Sequence, residues 1–204
     1  CGVHFHIGSQ ITETGPFVLL CRKVGEILDR MKALGAEITI VDMGGGFGID
    51  YDDPDGNPIP DFEHYFAVFR DNLQLSPDQE LHFEPGRSIV GQCGSLITRV
   101  LYVKEGTAKK FAIVDAGMTD LIRPALYQAH HKIENISSSS AVDDVYDVVG
   151  PICESSDSFG TDERLPLVQR GDFLALRSAG AYGEIMASTY NCRRLPGSVF
   201  STDL

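Results

Sequence analysis

The sequence contains no tryptophan, no pair of closely spaced cysteines and no long apolar run, and acidic residues outnumber basic ones. Five scattered cysteines without CxxC or zinc spacing are typical of a reducing compartment, so we expect a cytoplasmic protein. No apolar stretch approaches the roughly 20 residues that a membrane-spanning helix needs, and no signal peptide is evident. A net charge of −12 disfavours nucleic acid and anionic membranes as partners.

What is present is enough material for a sizeable core. The chain has 204 residues, of which 43% are hydrophobic, so one or two domains are expected. It begins at Cys1, already inside a strand pattern, and stops at Leu204. We therefore expect it to be a piece of a longer protein.

Strand and helix patterns alternate in the first 84 residues. Strand patterns cover residues 3–7, 38–43 and 81–84. One helical pattern runs from Phe17 to Met31, with Gly35 as its stop, and a second follows the N-cap candidate Asp61. The β-α-β-α-β order predicts a parallel sheet, and the aromatic stripe of the second helix is expected to be core.

The pattern changes after about residue 90. Further strands are predicted at 95–104, 110–116, 145–149 and 172–177, without long helices between them. We expect an α/β domain at 1–91 and a mostly antiparallel β domain at 92–204. The serine run 137–140 is predicted to be a flexible loop, and His130 and His131 before it an exposed pair.

Within residues 81–87, a strand pattern ends in a turn that carries two charged side chains. Pro85 cannot continue a strand ladder, so Glu84 and Arg87 are placed side by side at the strand end. The Glu84 carboxylate can partner a protonated ring nitrogen, and the Arg87 guanidinium with the Gly86 N–H can face a phosphate or a carboxylate. A purely structural Glu84–Arg87 pair is the alternative.

The other two strands of the first half also end in site-like turns. The glycine run 44–48, which includes Gly46, lets backbone N–H groups approach an anion, but Ile49 replaces the third glycine of a dinucleotide fingerprint. His6 presents a flat ring at its strand end and Ser9 a hydroxyl, unless they are simply a buried histidine and a turn serine. His4 shares a face with His6 but no third ligand is evident nearby, so no metal is expected.

Three places in the second half carry further candidates. Arg123 and Tyr127, four residues apart, can clamp a carboxylate. Cys153 and Glu154 put a thiol beside a carboxylate in a polar turn, which argues against burial of the thiol. Tyr182 is exposed between glycines. Each of these places can also be ordinary turn chemistry.

Together and in this order, these motifs resemble the pyridoxal-phosphate-dependent decarboxylases with the alanine-racemase-like fold. The motifs are His-Ile-Gly-Ser (6–9), Gly-Gly-Gly-Phe-Gly (44–48), Glu-Pro-Gly-Arg (84–87), Arg-Pro-Ala-Leu-Tyr (123–127), Cys-Glu-Ser (153–155) and Ala-Gly-Ala-Tyr-Gly (179–183). The resemblance spans essentially the whole chain. The segment 123–127 and the glutamate after the cysteine indicate the diaminopimelate branch, because ornithine decarboxylases carry an aspartate there.

The resemblance implies a role for each candidate. His6 would stack on the cofactor ring, and Glu84 would hold the pyridine nitrogen protonated. The residues implied around the phosphate and the rest of the cofactor are Ser9, Gly46, Gly86, Arg87 and Tyr182. The residues implied for the substrate are Arg87, Arg123, Tyr127, Glu154 and Tyr182, with Glu154 binding its second ammonium group. Cys153 would return a proton after carbon dioxide leaves.

The resemblance also implies an architecture and an assembly. The first domain would be the last three strands of a (β/α)8 barrel, and a homodimer would share Cys153 and Glu154 between active sites. The lysine that carries the cofactor lies on the first barrel strand of the family, and none of the six lysines here fits it. We therefore expect this chain alone to be inactive. An ornithine- or arginine-type decarboxylase and a non-catalytic homologue remain alternatives.

Overall fold

The computed structural model describes residues 1–203 and divides the chain into two compact units. The first unit contains Cys1–Asp50 and Asn57–Ile89, and the second contains Tyr51–Gly56 and the chain from Val90 onward. The short segment 51–56 thus packs with residues that follow it much later in the sequence. Among the described residues, no helix is both long and apolar enough to cross a membrane.

The first unit is a parallel sheet with two helices. Strands β1 (Gly2–His4), β2 (Ile40–Asp42) and β3 (Glu80–His82) lie in the order β1-β2-β3, and both neighbouring pairs are parallel. Helices α1 (Gly15–Ala33) and α2 (Phe62–Asn72) connect them. The predicted β-α-β-α-β order is confirmed, although each strand is shorter than its sequence pattern.

Local sequence signals set the ends of both helices. Pro16 stands in the first turn of α1, where its missing N–H costs nothing. Gly35 follows the last turn of α1 and has a φ of +80°, a backbone angle that residues with a side chain rarely adopt. The Asp61 carboxylate caps α2 by accepting a hydrogen bond of 2.9 Å from the His64 N–H.

The core of the first unit lies between the helices and one face of the sheet. Val24 of α1 and Val41 of β2 are fully buried there. The ring of Tyr65 stacks on the ring of Phe47, with 4.4 Å between the ring centres, and contacts the ring of Phe17 edge to face, with 5.0 Å between the centres. Burial raises the pKa of the Tyr65 hydroxyl to about 12. The prediction that the aromatic stripe of α2 is core is confirmed for Tyr65, Phe69 and Leu73, whereas Phe66 is 40% exposed.

The second unit is built on a six-stranded sheet. Its strands are β4 (Leu96–Glu105), β5 (Lys110–Val114), β6 (Ile133–Asn135), β7 (Asp143–Val149), β8 (Ser158–Pro166) and β9 (Phe173–Leu176). The strand order is β6-β9-β4-β5-β7-β8, in which only the β5–β7 pair is parallel. The expected mostly antiparallel sheet is thus present, with β6 and β8 as strands that the sequence patterns missed.

Short helices and 3-10 turns lie between and after the longer elements. They are α3 (Arg87–Val90), α4 (Arg123–Tyr127) and the 3-10 turns Gly91–Cys93, Glu184–Met186, Tyr190–Cys192 and Ser201–Asp203. The core of the second unit is mostly aliphatic, with Ala112, Val148, Leu174 and Leu176 fully buried, and it also contains the rings of Tyr146 and Phe159. Helix α4 begins at Arg123 and ends at Tyr127, two of the candidate residues.

Candidate active site

The parallel sheet of the first unit has one polar face. His4, Asp42 and His82 are register partners across the three strands, so their side chains share a face. The opposite face packs against the helices through residues such as Val41. Glu84, two residues beyond β3, places its carboxylate 2.9 Å from the His4 Nε2. The polar face therefore carries a histidine–carboxylate pair at the ends of the strands.

Three potential metal ligands meet on this face. Ligand atoms of His4, Asp42 and Glu84 all lie within 4.8 Å of one another. The expectation that His4 has no third ligand nearby is therefore wrong, because Asp42 on β2 and Glu84 in the turn after β3 both approach it. One Asp42 oxygen also accepts a 2.8 Å hydrogen bond from the Gly44 N–H. The expected absence of a metal remains a prediction.

The three strand-end turns are packed backbone against backbone. Gly44 has φ +70°, and a Cβ there would lie 2.0 Å from the Phe5 carbonyl oxygen. A Cβ on Gly45 would lie 2.4 Å from the Glu84 carbonyl oxygen, and one on Gly46 would lie 2.5 Å from that of Gly8. Only glycine fits at these positions. The glycine run thus brings the turns after all three strands together, as the parallel topology predicts.

Arg87 and Ser9 meet beside this glycine turn. Arg87 is 9% exposed, and its Nη2 donates a 3.1 Å hydrogen bond to the Ser9 Oγ. The His6 ring is exposed, and its Cε1 lies about 4.0 Å from where a Cβ on Gly45 would be. Gly86 precedes α3, and its carbonyl accepts from the Ile89 N–H. A buried guanidinium, a hydroxyl and close-packed glycines have the chemistry to bind the phosphate of a small ligand.

In the second unit, the Arg123 guanidinium is buried and has two neighbours. Its Nη1 lies 2.8 Å from the His131 Nε2, and its carbon lies 5.0 Å from the centre of the Tyr51 ring. His131 is fully buried, so the prediction that it is exposed was wrong, whereas His130 is exposed. Tyr127, at the other end of α4, is 60% exposed. The two candidates for a carboxylate clamp therefore lie in different environments.

The thiol of Cys153 is exposed in a tight turn, as predicted. The neighbouring Glu154 accepts a 2.5 Å hydrogen bond from the Tyr190 hydroxyl, and this bond raises the pKa of Tyr190. Asp157 builds the turn by accepting 2.6 Å hydrogen bonds from the N–H groups of Met118 and Ile152. Burial raises the pKa of Asp157, and the two bonds only partly offset that effect.

Tyr182 lies in a segment whose backbone tolerates little change. It has φ +59° and is 42% exposed. A Cβ on Gly180 would lie 2.0 Å from the Val90 carbonyl oxygen, and one on Gly183 would lie 2.4 Å from that of Ala179. The flanking glycines therefore fix the turn that presents the tyrosine, as the sequence suggested.

An ion-pair cluster fixes the segment 51–56. Arg177 binds Asp55 with two donors, at 2.6 and 3.3 Å, and binds Glu134 at 2.6 Å. The hydrogen bond from Arg177 lowers the pKa of Asp55. A carboxyl group whose pKa is lower in the folded than in the unfolded protein stabilises the fold at pH values above its ordinary pKa of 3.8. This stabilisation is lost as the pH falls through the lowered pKa of the folded state.

This linkage predicts the behaviour of Asp55→Asn. The variant is expected to be less stable than the parent at neutral pH, and the difference is expected to disappear on acidification below the ordinary pKa. Urea unfolding at a series of pH values gives the free energy of unfolding of the variant and of the parent. A difference that stays constant with pH would show that Asp55 does not act through its charge.

Sequence reasoning missed four residues that contact the candidates. They are His4, Tyr51, His131 and Tyr190. His4 carried a usable signal, since it lies two residues before His6 on the same face. Tyr51 and Tyr190 reach their partners through long-range contacts, for which the local sequence gives no signal. His131 lies only eight residues from Arg123, but its burial is not evident from its polar surroundings in the sequence.

These features agree with what comparison with known proteins finds. Residues 18–180 match the family model described as pyridoxal-dependent decarboxylase, C-terminal sheet domain. The chain belongs to this family, and the resemblance drawn from the sequence is confirmed. The diaminopimelate decarboxylase of Bacteroides thetaiotaomicron is 61% identical over 203 residues, which are 100% of this chain and 52% of that protein.

Other relatives carry the same name. The diaminopimelate decarboxylase of Archaeoglobus fulgidus is 46% identical and matches 94% of this chain and 46% of its own length. The crystal structure of the Helicobacter pylori diaminopimelate decarboxylase complexed with L-lysine superposes with a TM-score of 0.83 at 44% identity, covering 93% of this chain and 46% of that one. The chain thus spans about half the length of the relatives it matches.

Proposed function

We propose that this chain is the C-terminal half of a diaminopimelate decarboxylase, which converts meso-2,6-diaminopimelate to L-lysine and carbon dioxide. The observation that carries the proposal is the meeting of the glycine run, Ser9–Arg87 and Glu84 at the ends of three parallel strands. The relative from Bacteroides thetaiotaomicron, 61% identical over the whole chain, bears that name.

The first half of the chain is proposed to complete a barrel. Residues 1–91 would supply the last three strands of a (β/α)8 barrel, and residues 92–204 would form the β domain after it. Two observations support this proposal: the helices pack on one face of the parallel sheet, and the other face carries half-exposed polar side chains such as His4 and Glu84. Three strands alone cannot close a barrel and leave both edges unpaired.

The cofactor is proposed to be pyridoxal 5′-phosphate. The residues that would hold it are His6, Ser9, Gly46, Glu84, Gly86, Arg87 and Tyr182. When bound, it supplies an electron sink for the loss of a carboxyl group. Glu84 would keep the ring nitrogen protonated, and its contact with His4 holds the carboxylate in place for that task. Arg87 would offset the negative charge of the phosphate, and N–H groups of the glycine run would donate hydrogen bonds to it.

The substrate-binding residues are proposed to contact different charged groups of the amino acid. Arg87, Arg123, Tyr127 and Tyr182 would hold the distal carboxylate, and Glu154 the second ammonium group. The Cys153 thiol would give its proton to the carbon that loses carbon dioxide. The exposed position of Cys153 and Glu154 supports a homodimer in which they serve the active site of the second copy.

The chain by itself is predicted to be inactive. Lys23 and Lys32 lie on α1, and Lys104, Lys109, Lys110 and Lys132 all belong to the second unit, so none ends a strand of the parallel sheet. No lysine is thus placed to carry the cofactor. Incubating the 204-residue chain with pyridoxal phosphate and meso-diaminopimelate should yield no lysine by mass spectrometry. Lysine formation above the background without protein would refute this.

The ornithine- or arginine-type reaction is the competing activity, and Arg123→Ala separates the two. In a full-length diaminopimelate enzyme, loss of a charge-assisted bond to the distal carboxylate should lower kcat/KM roughly 100-fold or more. An ornithine enzyme has no such carboxylate to hold, and the same change should affect it little. The exposed Arg194→Ala serves as the matched control and should leave kcat/KM unchanged. Steady-state kinetics on both substrates measures the contrast.

A further inference from the structure

We propose that His131 and Tyr51 are positioning residues that fix the Arg123 guanidinium, and that they thereby set the preference for a substrate with a second carboxylate. This inference rests on the proposed function and deepens it. It concerns two residues to which neither the sequence motifs nor the family resemblance assigned a role.

The hydrogen bonds of His131 determine the form of its ring. A guanidinium can only donate, so the His131 Nε2 must accept the 2.8 Å bond from Arg123. The His131 Nδ1 lies 2.9 Å from the Arg177 carbonyl oxygen, to which it must donate. Both ring nitrogens are thus committed in one neutral tautomer. The fully buried ring aims one acceptor at the guanidinium and cannot turn without losing both bonds.

Tyr51 fixes the same guanidinium from a second direction. The Arg123 guanidinium carbon lies 5.0 Å from the centre of the Tyr51 ring, a cation–π distance. The Tyr51 ring also meets the His131 ring edge to face at 5.1 Å. His131 therefore directs one N–H group, while Tyr51 restricts the position of the whole guanidinium group.

The segment 51–56 is itself tied to this arrangement. Arg177 binds Asp55 of that segment with its guanidinium and accepts the His131 hydrogen bond with its carbonyl. Arg177 also binds Glu134, which holds its side chain in place. One residue thus anchors both the segment that carries Tyr51 and the ring of His131. The result is a continuous network from Asp55 to Arg123.

Such a network matters because an arginine side chain has many rotamers. A guanidinium that is ordered before binding avoids the entropy cost of ordering it on the substrate. Burial, with Arg123 only 5% exposed, also strengthens its pairing with a carboxylate. The gain applies only to ligands that present a carboxylate to Arg123. The network therefore affects selectivity and leaves the binding of the two amino groups unchanged.

L-Lysine and cadaverine isolate this contribution. Decarboxylation at one end of diaminopimelate leaves the other carboxylate in lysine, whereas cadaverine has the same chain and amines without it. Calorimetry on the full-length protein loaded with pyridoxal phosphate gives both dissociation constants. For His131→Leu we expect L-lysine binding to weaken roughly 10- to 100-fold and cadaverine binding to change less than about 2-fold.

Conservative variants distinguish positioning from structural damage. The variant His131→Gln keeps one acceptor and one donor and should restore most of the L-lysine affinity. Tyr51→Phe keeps the ring and should stay near the parent, while Tyr51→Leu should weaken L-lysine binding selectively. His64→Leu, at an exposed position of α2, is the histidine control and should change the binding of neither ligand. If His131→Leu does not fold, the comparison of L-lysine binding between Tyr51→Phe and Tyr51→Leu tests the inference instead.

Two results would overturn the inference. Equal loss of lysine and cadaverine would show a merely structural role, and unchanged lysine binding in both His131→Leu and Tyr51→Leu would show no role at all. Carbon dioxide release from meso-diaminopimelate by the parent protein is measured in parallel. Release by the parent with unaltered selectivity in the variants refutes only this inference, whereas no release refutes the proposed function.

Discussion

In the full-length protein, Gly44→Ala is expected to lower the free energy of unfolding by roughly 3–5 kcal/mol and to abolish cofactor loading. The residue has φ +70°, and the added Cβ would lie 2.0 Å from the Phe5 carbonyl oxygen. The clash is with a backbone atom, so no side-chain rotation relieves it. Relief requires the turn after β1 to move away from the turn after β2, which disrupts the surroundings of Ser9 and Arg87.

Gly25→Ala provides the matched control for this result. Gly25 lies within α1, and nothing stands within 4 Å of the position of its added Cβ. Alanine there should be neutral or stabilise the helix by about 0.5–1 kcal/mol. Urea unfolding gives the free energy of both variants, and the absorbance of bound pyridoxal phosphate gives their loading. A Gly44→Ala protein as stable and as well loaded as Gly25→Ala would contradict the packing described here.

Cys153→Ala in the full-length protein should lower the rate of lysine formation roughly 10²- to 10⁴-fold, the usual contribution of a positioned proton donor. Alanine removes the transferable proton and leaves Glu154, with its bond from Tyr190, in place. Diaminopimelate binding should therefore change much less than kcat. Single-turnover kinetics separates the two effects.

Cys93→Ala is the control for Cys153→Ala. Cys93 is also an exposed thiol, at the end of the turn Gly91–Cys93, but no motif assigns it a role. Its replacement should leave kcat unchanged. If Cys153→Ala keeps the parental rate, another group delivers the proton and the assignment of Cys153 is wrong.

Local signals were sufficient to predict the regular elements of the first unit. Both helices follow from apolar periodicity with Asp61 and Gly35 as boundaries, and those boundaries are confirmed. Because parallel strands end at the same edge of a sheet, the meeting of the three turns could also be predicted from the strand order. Strand β8 was missed because Asp162, Glu163 and Arg164 interrupt its apolar pattern.

Contacts between distant residues could not be predicted in this way. His4 and Glu84 are 80 residues apart, and His131 and Arg177 are 46 apart. The burial of His131 depends on Tyr51 and Arg177, neither of which lies near it in the sequence. The motifs therefore indicate which residues are candidates, and the packing around them shows how each is held.

The direct test of the proposed reaction, decarboxylation of meso-diaminopimelate, is carbon dioxide release by the full-length protein with pyridoxal phosphate. Meso-diaminopimelate, ornithine and arginine are compared side by side, with Cys153→Ala as the control. The parent should release carbon dioxide over many turnovers from meso-diaminopimelate alone, and Cys153→Ala should lose this steady-state release, because the proton is delivered only after carbon dioxide leaves. Release from ornithine or arginine instead would contradict the assignments of Arg123 and Glu154, and no release from any of the three would contradict the enzyme itself.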